Sequence, residues 1–110
     1  MEYDDGTKAR APDGTALPLG PVLYALNKQI ASTCASQNKY FMQCKTEDGN
    51  PKSCLRQGED VKQCVEGVVK RADQQCPKLL TAFARCLDKN HVEFWECRPE
   101  QQALEACFPP

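Results

Sequence analysis

A chain of 110 residues has room for one or two small domains but not for a large core, and cores of that size usually need help from disulfides or metals. Its 14 basic and 15 acidic side chains are intermixed and leave a net charge of -1, which makes neither a phosphate backbone nor an anionic lipid surface an obvious partner. No apolar run reaches the roughly 18 residues of a bilayer span, so no transmembrane helix is expected and the protein is soluble or peripheral.

The opening Met1-Glu2-Tyr3-Asp4-Asp5-Gly6 is acidic and lacks an apolar stretch, unlike a secretory signal or an Arg-rich presequence. Met1 itself argues against a signal already removed. Residues 1–21 carry Pro12, Pro18 and Pro21 with Gly6, Gly14 and Gly20 and show no apolar periodicity. They read as an extended arm with turns and no domain of its own, or as a disordered tail in the isolated chain. Residues 1–20 are accordingly expected to act in docking and to add little to folding. From Val22 the spacing of Leu23, Leu26 and Ile30 predicts a short amphipathic helix over 22–33. Such a helix can lie on a membrane or a partner, but one of this length more often packs on its own domain.

Eight cysteines follow as four pairs, each with nine residues between: Cys34/Cys44, Cys54/Cys64, Cys76/Cys86 and Cys97/Cys107. On a helix, residues ten apart share one broad side but stand about 15 Å apart along the axis. A disulfide needs Cα atoms within about 7 Å, so neither cysteine can bridge its own partner while the segment stays helical. An antiparallel helix with the same spacing offers two thiols at matching heights, which gives a hairpin with two rungs. Turn chemistry decides which helices pair. Glu47-Asp48-Gly49-Asn50-Pro51 stops one helix and starts another, with Gly49 suited to a left-handed position, Asn50 to a cap and Pro51 to a first turn. Asp88-Lys89-Asn90-His91 provides a second turn, whereas the link from Cys64 to Cys76 has none. The expected fold is therefore all-α, with two disulfide-stapled antiparallel hairpins at 34–75 and 76–110. The expected bridges are Cys34 with Cys64, Cys44 with Cys54, Cys76 with Cys107 and Cys86 with Cys97. Pro77 and Pro99 fit the first turns of their helices. Phe94 and Trp95 are expected to cover the end of the second hairpin. An apolar residue stands three before the second cysteine of every motif, at Phe41, Val61, Phe83 and Leu104, and these are expected to form most of a thin core beside the bridges.

A disulfide framework without a secretory signal points to an oxidising compartment reached by another route, and the mitochondrial intermembrane space fits. The chemistry of an enzyme is missing. There is no CxxC dithiol, no pair of His/Cys clusters for zinc or copper and no glycine-rich phosphate loop. The single histidine, His91, sits in a turn and reads as solvated. No catalytic residue, metal site or cofactor is expected.

The doubled motif, with Asn38 to Cys44, Asn50 to Gly58, the Cys64-x11-Cys76 spacing and Cys97-Arg98-Pro99-Glu100-Gln101-Gln102, resembles the alpha-subcomplex subunit 8 family of mitochondrial NADH:ubiquinone oxidoreductase, complex I. The similarity covers about residues 22–107, and longer family members extend past the position of Pro110. It implies a structural accessory subunit, peripheral on the intermembrane-space face of the inner membrane, with other membrane-arm subunits as partners. It also implies oxidation by the compartment's disulfide relay, for which Tyr40 and Phe41 are import-recognition candidates a helical turn from Cys44. The same two residues read equally well as core. A twin-CX9C assembly or copper-delivery factor, and a thiol oxidoreductase, are the other classes considered. Adjacent cysteines before the hairpin, which copper carriers use, are not found.

Overall fold

The computed structural model describes residues 16–110 in full, together with the backbone of Glu2–Tyr3 and Lys8–Arg10. Those two segments are strands β1 and β2, and with β3 (Ala16–Pro18) they pair as an antiparallel sheet in the order β1-β2-β3. Arg10 stands opposite both Glu2 and Ala16. The rest of the arm lies outside the described residues.

Helices follow at once: α1 (Leu19–Ala25), α2 (Asn27–Thr33) and α3 (Ala35–Glu47). The single helix expected over 22–33 begins earlier and is broken in two. It begins at Leu19 because Pro21 falls within the first turn, where no backbone N–H is needed. At Leu26 the backbone opens to φ -104° and ψ 15°, and its N–H divides between the carbonyls of Val22 and Leu23 at 3.3 and 3.2 Å. The bend has a packing cause. It lets α1 lie on the second hairpin while α2 turns towards the first, and Val22, Ala25 and Leu26 are all buried.

The first hairpin pairs α3 with α4 (Leu55–Gln75), the second α5 (Pro77–Lys89) with α6 (Arg98–Cys107). A 3-10 turn opens the second arm of each, at Pro51–Cys54 and at Phe94–Cys97. Helix α4, about 31 Å long at 1.5 Å per residue, joins the hairpins through Cys76 alone. The molecule measures 42 × 26 × 25 Å, and its core gathers around the second hairpin. There Leu17, Val22, Leu26, Val69, Ala72, Leu80, Phe83, Leu87 and Leu104 form one buried cluster of the arm's last strand, α1, the end of α4 and the second hairpin.

The turns differ from expectation in detail. Gly49 does not adopt a left-handed backbone, because two side chains close that turn instead. Asp48 Oδ1 accepts from Asn50 N–H at 2.9 Å, and Asn50 Oδ1 accepts from Lys52 N–H at 3.0 Å. In the second turn the left-handed residues are His91 and Val92, with φ of 56° and 62°. The cost of placing a β-branched valine there is offset by the Val92 N–H bond to Leu87 O at 2.7 Å, which satisfies a helix-end carbonyl.

Candidate functional site

Four bridges form the ladder expected of twin CX9C hairpins: Cys34–Cys64, Cys44–Cys54, Cys76–Cys107 and Cys86–Cys97. Their Cα separations of 5.9, 5.9, 6.3 and 5.9 Å sit within the range a disulfide spans. No cysteine is free. The ladder has a regularity that spacing alone does not reveal. The first cysteine of every motif, Cys34, Cys54, Cys76 and Cys97, occupies the N-cap of its helix and is buried. The second, at Cys44, Cys64, Cys86 and Cys107, lies further along the helix and is half-buried. Each bridge joins one of each kind, so every rung ties a helix start to the flank of its neighbour.

The two hairpins are otherwise unlike. Phe83 and Leu104 are enclosed as expected, but Phe41 and Val61 are only half-buried, and no residue of α3 is buried. A pair of helices has one seam, and only the second hairpin has α1 and the end of α4 laid over it. The first projects, with Tyr40, Met42 and Leu55 exposed at 62, 60 and 69 %. Tyr40 stands one turn before Cys44, open to solvent. Phe41 turns to the other flank, where its ring lies against the bare backbone of Gly58 and under the Lys45 ammonium, 4.7 Å from the ring centre. The structure thus separates the three import-recognition candidates into an exposed phenol, a seated ring and a bridged sulfur.

On one side of this hairpin an apolar groove of about 490 Å³ runs under the α1–α2 bend, lined by Leu23, Tyr24, Ile30 and Val65 among others. A second concavity of this hairpin is more polar, with Tyr40, Asp48, Arg56 and Asp60 around it. The Asp48 carboxyl is held below its ordinary value by the Asn50 N–H and then by the Ser53 side chain, both of which favour its charged form. Trp95 does not cover the second hairpin: it is 66 % exposed, and Phe94 alone packs inward, edge-to-face on Phe83 at 6.1 Å and on Tyr24 at 6.4 Å.

Several contacts had no signal in the sequence. The end of α6 is tied down by Gln29 Nε2 donating to Phe108 O at 3.0 Å, Gln75 Nε2 to Cys107 O at 2.8 Å, and a Lys28–Glu105 ion pair at 2.8 Å. Asn90 turns its amide back on the Cys86–Cys97 bridge. Such pairings depend on which helices meet, which no local pattern encodes.

No protein-family model matches the chain. Curated relatives do. It is 42 % identical over 101 residues to NADH dehydrogenase (ubiquinone) 1 alpha subcomplex subunit 8-A of Arabidopsis thaliana, covering 90 % of this chain and 94 % of that protein. The chain belongs to this family. The alpha subcomplex subunit 8 relatives include the 8-B form of Arabidopsis thaliana, 38 % identical over 87 % of this chain and 91 % of its own. The NADH-ubiquinone oxidoreductase 20.8 kDa subunit of Neurospora crassa is 31 % identical over 71 % of this chain but only 44 % of its own, longer, length.

Proposed function

We propose that this member of the alpha subcomplex subunit 8 family is a non-catalytic accessory subunit of mitochondrial respiratory complex I. Its place is peripheral, on the intermembrane-space side of the inner membrane, where it stabilises or helps assemble the membrane arm against other complex I subunits. The observation that carries this reading is kinship along nine-tenths of the chain with proteins named as subunits of NADH dehydrogenase. Four closed bridges support an oxidising compartment, because cytosolic and nuclear thiols are kept reduced. The same closed ladder favours a structural role over copper delivery or thiol exchange, both of which need a sulfur to spare. None of the described helices is long and apolar enough to cross a membrane, which fits peripheral attachment. The projecting first hairpin, with Tyr40, Met42 and Leu55 open, supplies surface for neighbouring subunits.

The placement of Tyr40 and Phe41 also supports the import reading. Before the hairpin closes, Tyr40 and Phe41 are both available beside Cys44, so the disulfide relay can engage them; afterwards Phe41 settles on Gly58. Native electrophoresis of detergent-solubilised mitochondria tests the main reading: the chain should migrate with complex I. Migration with another respiratory complex, or alone, would sink it. Slower oxidation of imported Tyr40→Ala and Phe41→Ala chains is expected if the relay reads these residues, and unchanged rates would remove that part alone.

A further inference from the structure

The largest apolar side chain left outside the core is Trp95, the single tryptophan of the chain. It follows Phe94, whose ring is fixed edge-on between Phe83 and Tyr24, and stands two residues before Cys97, which is bridged and buried. Both flanks are anchored, so the indole is held in solvent by a turn that leaves a partner little conformational freedom to remove. Tyr24 is exposed too, and it connects this turn to the groove under the α1–α2 bend, which it lines together with Leu23, Ile30 and Val65. No charged side chain lines that groove. Rings and groove make one apolar surface, and exposed apolar surface of this extent marks an interaction site.

Charge indicates what covers it. From Asp88 to Glu100 the chain carries four carboxylates, Asp88, Glu93, Glu96 and Glu100, against two cations, Lys89 and Arg98. Arg98 is turned onto Gln101, its Nη1 donating to Oε1 at 2.6 Å. Glu93 and Glu96, which bracket Phe94 and Trp95 in the chain, make no ion pair among the described residues. An indole face is the best aromatic surface for a Lys or Arg, and carboxylates beside it strengthen that preference. A second copy of the chain fits badly, because a two-fold contact here would bring two acidic turns together. An anionic bilayer would meet the same carboxylates, and a flat surface does not fill a groove.

We propose that this surface docks a cationic amphipathic segment of a neighbouring subunit, its Lys or Arg seated on Trp95 beside Glu93 and Glu96 and its apolar side chains in the groove beyond Tyr24. That the neighbour is a complex I subunit rests on the function proposed above; the chemistry of the surface does not. Binding energy in such contacts concentrates on Trp, Tyr and Arg, so Trp95 is the anchor on this side. Salt should weaken the charged end of the contact and spare the groove.

Because Trp95 is the only tryptophan, its emission reports this surface directly. The oxidised full chain is titrated with a synthetic helix of leucine and lysine, with the same helix carrying glutamate for lysine, and with vesicles of phosphatidylcholine alone or mixed with an anionic phospholipid. The lysine helix alone should shift the emission to the blue and saturate. Glu93→Gln/Glu96→Gln should bind it at least tenfold more weakly and Val65→Gln at least threefold. Glu47→Gln/Asp60→Asn, around the polar concavity of the first hairpin, should bind it as the parent does. A glutamate helix that binds as well, a shift with vesicles and none with the lysine helix, or unchanged affinity in Glu93→Gln/Glu96→Gln overturns the proposal, and unchanged affinity in Val65→Gln overturns the part assigned to the groove. In assembled complex I, benzoylphenylalanine at position 95 should photo-crosslink to a segment of another subunit that carries Lys or Arg. Adducts only with lipid, with a second copy or with an acidic segment, or no adduct at all, overturn the docking assigned to Trp95. A chain absent from complex I removes the function proposed above, and the titration still decides the surface.

Discussion

At the scale of single residues, two glycines of one helix have opposite roles. A Cβ at Gly58 would meet Phe41 Cε2 at 2.7 Å, closer than packed atoms come, whereas one at Gly67 would meet only the end of the Arg71 side chain at 3.4 Å. Replacing a helical glycine with alanine gains up to about 1 kcal/mol from propensity. Gly67→Ala should therefore raise the denaturant midpoint of the oxidised chain, and Gly58→Ala should lower it by pushing the Phe41 ring out. If both variants gain equally, the ring is not seated as described. Asp48 is the residue to follow with pH. Its folded pKa is depressed by bonds to the charged carboxylate, so its contribution is complete above the unfolded value and is lost as pH falls through the folded one. Carboxyl-resolved NMR should show Asp48 titrating below an ordinary aspartate, and Asp48→Asn should blunt the acid-side loss of stability. An Asp48 midpoint at the ordinary value would remove the turn-closing bond from the account.

At the scale of elements, the bridges and the core divide the labour between the hairpins. In the chain-entropy account each outer bridge contributes about 3–4 kcal/mol and each inner one about 2.7 kcal/mol. The first hairpin has little else, since α3 buries nothing, while the second adds a packed seam. Phe83→Ala should cost about 3–5 kcal/mol. The half-buried Phe41→Ala should cost no more than about 1–2 kcal/mol. Removing both bridges of the first hairpin by Cys→Ser should strip hydrogen-exchange protection from α3 while α1, α5 and α6 keep theirs. Equal loss throughout would show that the hairpins fold as one unit. The hairpins themselves were legible because cysteine spacing and the turn at Asp48-Gly49-Asn50-Pro51 act locally. That Phe41 and Phe83, at the same place in the same motif, end in different surroundings was not. The difference arises from α1, whose bend at Leu26 has no glycine or proline to announce it and exists to satisfy packing on both hairpins. Asn90 was hidden for a similar reason: it reads as ordinary turn chemistry until α5 and α6 are brought together.

At the scale of the whole molecule, the N-terminal arm joins the fold where proline and glycine content alone argues against it. The expectation that residues 1–20 add little to the core fails at Leu17, which is 3 % exposed and part of the buried cluster with Val22 and Leu80, while Leu19 packs against its edge. An isolated leucine between Ala16 and Pro18 shows no periodicity, so nothing in the sequence singles it out. The last strand of the arm thus serves the core, and the proposed docking role is left to the residues before it. Two truncations separate these roles. A chain starting at Ala16 keeps Leu17 and should melt close to the full protein, yet enter complex I poorly if the first fifteen residues dock. A chain starting at Gly20 loses Leu17 and Leu19 and leaves a gap beside α1 and α5. At about 2–4 kcal/mol for such a loss, and about 4–8 °C per kcal/mol for a domain of this size, its melting point should fall by at least about 8 °C with all four bridges intact. If the Gly20 chain melts like the full protein, Leu17 is not part of the core; if the Ala16 chain assembles normally, the docking role falls and the arm's only duty is to deliver that leucine.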